Sequence, residues 1–187
     1  MRSWPRNLAI GAGVGFAVGL VIGGTLGRIF MRILFLAEEQ NSGFETAMGA
    51  IIGELTGGGT AFIYIFGAIA GTALGLAYAV ARTLLPSGTR LRVIVFTLGT
   101  TAFMLGQIAR GNRADFAVLP VTLSLLLIVV SVGLTAAPVP LLIERFAPDR
   151  ERTPGRVARG VVMLGMTGFA LFAVSGIVIA YSEPRLF

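Results

Sequence analysis

Seven hydroxyl or amide side chains are the first candidates for chemistry in this chain. Thr97, Thr100 and Gln107, with Thr101 beside them, repeat at helical spacing in one apolar stretch, and Ser124, Ser131 and Thr135 do so in another. Residues three or four apart share a helix face, so each set would point one way. A stripe of this kind can line a polar path or a small-ligand site between helices. Its simpler role is hydrogen bonding between helices, which contributes only about 0.6 kcal/mol per contact on average. The second candidate is charged. Arg28 and Arg32 stand four residues apart just beyond an apolar span, and the segment that follows carries Glu38, Glu39, Glu45 and Glu54 with no basic residue. Arg28 and Arg32 are expected to pair with Glu45 or Glu54, or with a lipid phosphate, because two cations at that spacing repel each other on a helix.

Much chemistry is excluded by composition. The chain has neither Cys nor His. That removes thiolate nucleophiles, disulfides and iron–sulfur clusters, and with them the usual zinc and haem ligands. No residues suggest a metal site, a cofactor or a catalytic group. No carboxylate falls in the middle of an apolar stretch, which counts against proton pumping and ion-coupled transport. The net charge of +6 comes from 15 basic residues, every one of them Arg. Most fall in loops where membrane topology accounts for them, so nucleic acid is not an expected partner.

The elements that would position these residues are helices. The chain is 55% hydrophobic and 13% charged, against about 25% charged in a soluble domain. The composition predicts an all-α, polytopic transmembrane bundle forming one domain over 1–187. Five spans are expected, at about 7–27, 61–81, 92–109, 117–137 and 160–182, each near the roughly 20 apolar residues needed to cross a bilayer. Pro138 and Pro140 are expected to end or kink the fourth, since proline lacks the backbone donor and clashes one turn back. The first apolar run exceeds the about 7–15 residues of a signal sequence and is read as a retained helix. Phe44, Met48, Ile51, Ile52 and Leu55 share one helical face, which predicts a short interfacial helix over about 44–55, ended by Gly57, Gly58 and Gly59.

Arginine sets the expected orientation. With the N-terminus inside, ten arginines fall on the inner side (Arg2, Arg6, Arg82, Arg90, Arg92, Arg145, Arg150, Arg152, Arg156, Arg159) and five on the outer (Arg28, Arg32, Arg110, Arg113, Arg185). The positive-inside rule therefore favours a cytoplasmic N-terminus and an external C-terminus. Trp4, Tyr64, Tyr78 and Tyr181 fall near span ends, where amphipathic aromatics settle.

Glycine gives the sharpest pattern. Gly11, Gly15, Gly19, Gly23 and Gly27 follow at steps of four, and Gly67, Gly71 and Gly75 repeat the device, continued by Ala79. Small residues at this spacing let membrane helices approach closely. The two faces are expected to meet within the chain, or to serve as an oligomer or docking groove. The stretch 57–86 resembles a segment of uncharacterised bacterial multi-pass membrane proteins. Gly58, Gly59, Thr60, Gly67, Gly71, Gly75, Tyr78, Arg82, Leu85 and Pro86 carry the likeness. The resemblance implies a bacterial cytoplasmic (inner) membrane location and no particular activity. The leading expectation is a non-enzymatic accessory or assembly subunit of a membrane protein complex. Its partners would be the lipid bilayer and other membrane subunits, or itself. The alternative is a small oligomeric transporter or channel using the polar stripe.

Overall fold

Glycine in a helix costs about 1 kcal/mol relative to alanine, so a helix carrying many of them must recover that elsewhere. In the computed structural model, which describes residues 4–37, 56–147 and 155–183, α1 (Trp4–Ala37) and α2 (Gly57–Ala81) do so by direct backbone contact. A methyl group on Gly11 would lie 2.7 Å from the Gly75 carbonyl oxygen, and methyls on Gly15 and Gly19 would overlap the carbonyls of Gly71 and Gly67. The pairing runs antiparallel, since the partner number falls as the α1 number rises.

The ladder does not run straight through. Steps of four on a helix of 3.6 residues per turn overshoot by about 40° each time, so a long ladder walks off its face. A π turn, Gly19–Gly23, interrupts α1, and the Gly24 amide bonds back to the Gly19 carbonyl five residues earlier. Beyond it Gly24 lies against Tyr64 and Gly27 against Ile63. Gly23 turns instead toward Thr135, with the nearest α2 atom, Gly67 Cα, 3.9 Å from where its methyl would sit. The expected five-residue face toward one partner is thus three glycines, a one-residue register shift and a different continuation.

Among the described residues three further long helices follow: α3 (Thr89–Gly111), α4 (Val121–Phe146) and α5 (Arg156–Ser182). All five are long and apolar enough to cross a membrane. No strand forms among the described residues. Successive helices reverse direction, so α3 and α5 run parallel: Gly99 faces Met166 and Phe169, and Gly106 faces Phe172 and Gly176.

α4 departs from the expectation of an end near residue 137. Val121–Ala136 continues through Ala137, itself in helical geometry, into Pro138–Phe146. The prolines do not stop the helix because packing holds the second segment. Val139, Pro140 and Ile143 are fully buried, and Val139 and Ile143 share a core cluster with Val18, Tyr78 and Leu85. The start is also later than residue 117, since Arg113–Ala117 is a separate 3-10 turn. The expected interfacial helix over 44–55 lies outside the described residues.

α5 is attached over only part of its length. Ala173, Gly176 and Ala180 are buried on α3. Nearer its start, Val157 is 83% exposed, Leu164 76% and Met163 72%.

Candidate functional site

The densest polar constellation among the described residues is one that the sequence does not single out as a site. It lies where the end of α2, the start of α3 and the end of α4 converge. Tyr78 and Arg82 stand one turn apart on α2, and Arg92 sits in the first turn of α3. The turn between those helices ends at Gly88, whose φ of 99° is open only to glycine without strain. Glu144 arrives from the segment of α4 beyond the prolines.

One carboxylate oxygen organises the group. Glu144 Oε1 accepts from the Tyr78 hydroxyl at 2.6 Å and from Arg92 Nη1 at 3.2 Å. Arg92 Nε donates to the Pro86 carbonyl at 3.0 Å, and Arg82 Nη1 donates to the Ala147 carbonyl at 2.8 Å. The Tyr78 ring meets Phe96 edge-on, with centroids 4.9 Å apart. The Arg92 and Glu144 side chains are only 6% and 8% exposed. A buried ion pair seldom adds net stability, but removing one partner strands the other and costs about 3–5 kcal/mol. The geometry is that of a lock joining three helix ends and a turn. Tyr78, expected among interfacial aromatics, is instead fully buried. Of the positions that carry the resemblance, Tyr78 and Arg82 supply side chains here, Pro86 supplies a carbonyl, and Leu85 packs beneath.

The opposite end is tied differently. Arg110 donates to the Ser175 hydroxyl and lies 4.0 Å over the Phe172 ring. Arg113 pairs with Glu183 at 2.5 Å, and the hydroxyls of Thr122 and Tyr181 meet at 2.9 Å. These contacts hold the C-terminal half of α5 to α3 and α4.

The anticipated residues divide. Arg28 does not answer to Arg32. Its Nη2 reaches the Thr56 carbonyl at 3.1 Å and the Thr60 hydroxyl, while its Nε is buried without a partner among the described residues. Arg32 lies 5.1 Å over the Phe35 ring. Glu45 and Glu54 lie outside the described residues. The polar stripe is not evenly enclosed. Gln107 is exposed, Thr135 bonds back to the Ser131 carbonyl at 2.8 Å, and Thr100 is half-buried. The hydroxyls of Thr97, Thr101 and Ser124 are buried without partners among the described residues. Comparison with protein-family models, with curated proteins and with solved structures finds no match.

Proposed function

We propose that this chain is a multi-pass membrane protein without catalytic activity of its own, acting as an accessory or assembly subunit that docks a transmembrane helix of another subunit on α5. The observation that carries the reading is the contrast between glycines. Gly11, Gly15 and Gly19 of α1 meet the backbone of Gly75, Gly71 and Gly67 on α2, whereas Gly160, Gly165 and Gly168 of α5, like Gly13 of α1, have open space among the described residues where a methyl would sit. Their cost to the helix is not recovered inside the chain.

Exposed apolar residues alone would not argue for a partner, because lipid tails cover them as well as protein does. The spacing adds the rest. Val157, Val161, Leu164, Gly168 and Leu171 follow at steps of four, three, four and three, and all are exposed. That is a repeat of 3.5, the period of left-handed helix pairing.

The test is positional crosslinking in native membranes. Single cysteines at Leu164 and Leu171 should crosslink to one partner protein, and a cysteine at Leu126 of α4, which is also exposed, should not. Crosslinks only between copies of the chain would assign the face to self-association. Equal labelling at all three positions would sink the docking surface. A second reading, a small oligomeric transporter or channel, draws on the three unpartnered hydroxyls of Thr97, Thr101 and Ser124. Solute or ion flux in liposomes, abolished by Thr101→Val, would favour it.

A further inference from the structure

Away from that outer face, α5 and α3 diverge toward the arginine-rich end and leave a cleft of about 650 Å³. Leu84, Leu91, Val95, Val162, Met163 and Met166 form its walls, and its polar rim is Ser87 with Arg159. No carboxylate lines it among the described residues. We infer that this cleft holds an acyl chain of an anionic glycerophospholipid, with the phosphate against Arg159 and Ser87. The inference does not depend on what α5 docks.

Three features favour that occupant. The layout is amphipathic along one direction: Arg159 and Ser87 stand at the end of the bundle, and the walls beyond them are apolar as far as Thr167, whose hydroxyl donates to the Met163 carbonyl. On α5 the lining runs from Arg159 to Thr167, about 12 Å at 1.5 Å per residue. One leaflet of a hydrocarbon core about 30 Å thick is of similar depth. The third feature is size. A helix about 10 Å across would displace roughly 900 Å³ over that length, more than the cleft offers, whereas a flexible chain is slimmer. Two methionines in the wall suit a mobile aliphatic ligand, since their unbranched side chains adapt to irregular shapes. Charge completes the match. Arg90, Arg145 and Arg156 are exposed at the same end of the bundle, and each arginine near a membrane surface favours anionic lipid by about 1 kcal/mol.

The test is native mass spectrometry of the full chain in mild detergent. The probes are palmitoyl-oleoyl phosphatidylglycerol and the phosphatidylcholine of the same chains, at equal concentration. The wild-type chain should retain one phospholipid, with the glycerol lipid preferred about fivefold, the ratio expected from one arginine contact. Arg159→Gln, at an exposed position, should bring the ratio near one. Val162→Trp should expel both lipids by filling the cleft. Met163→Trp serves the same end from a largely exposed position should the first variant misfold. No preference in the wild type, a preference unchanged in Arg159→Gln, or full retention in Met163→Trp would each overturn the inference. So would a lipid-free dimer closing the cleft.

Discussion

The Tyr78 hydroxyl and the Arg92 guanidinium converge on the same oxygen of Glu144, from 2.6 Å and 3.2 Å. The two donors reach it from different helices, so loss of the acceptor should cost more than loss of the Tyr78 hydrogen bond alone. Glu144→Gln leaves Arg92 buried without a counter-charge, at about 3–5 kcal/mol. Tyr78→Phe removes one hydrogen bond to a charged group, worth about 1.5–3 kcal/mol, and keeps the ring against Phe96. Thermal unfolding in detergent should rank Glu144→Gln well below Tyr78→Phe. Equal, small shifts would mean the cluster is wetter than its burial indicates.

Glycine substitutions should split by place. Gly71→Ala puts a methyl into the Gly15 carbonyl and forces α1 from α2. Overpacking of this kind costs about 1–3 kcal/mol. Gly165→Ala and Gly168→Ala meet nothing in the chain and should raise helix stability by up to about 1 kcal/mol each. If the proposed docking is right, Gly168→Ala should also weaken partner capture. A Gly71→Ala protein as stable as the wild type would show that the two helices slide apart freely.

Part of this arrangement is legible in the residues themselves. Spacing alone pointed to small-residue faces on α1 and α2, because close approach requires the absence of side chains and glycine records that absence. The shift at Gly24 was hidden, since it depends on a π turn that no residue in Gly19–Gly23 announces. Glu144 was hidden for another reason. Local rules end a helix at Pro138, and only the burial of Val139 and Ile143 against α1 and α2 carries it on. Sequence periodicity likewise grouped Gln107 with Thr97 and Thr100. Gln107 lies seven residues, close to two full turns, from Thr100 and shares its face, but it stands one turn from the end of α3 and is exposed there.

Topology can be tested with single cysteines, because the chain has none of its own. Ser87 in the α2–α3 turn and Asn112 beyond α3 lie at opposite ends of α3. The arginine bias predicts Ser87→Cys labelled from the cytoplasm and Asn112→Cys from outside. Labelling of both from one side would contradict a spanning α3. The reverse pattern would keep five spans and invert the orientation.

Arg28 offers the last prediction, and it concerns local order rather than the bundle. Its Nη2 bonds to the Thr56 carbonyl and the Thr60 hydroxyl. Thr56 is also the N-cap of α2, accepting from the Gly59 amide at 3.0 Å. A cation is the wrong charge for the positive end of a helix dipole. Its benefit must come from the hydrogen bonds, which compensate for a first turn of three glycines with little intrinsic helicity. Arg28→Ala should therefore let that turn open. Losing contacts worth about 1.5 kcal/mol would speed amide exchange at Gly58 to Thr60 by roughly tenfold. Arg32 stacks on Phe35 within its own helix, so Arg32→Ala should leave those amides unchanged. Arg28→Lys separates charge from geometry. An ammonium keeps the positive charge but lacks the planar fork, so its exchange should resemble that of Arg28→Ala. Wild-type exchange in Arg28→Lys would show that charge alone suffices. Equal acceleration across all five helices would show that Arg28 supports the whole bundle instead of one helix start.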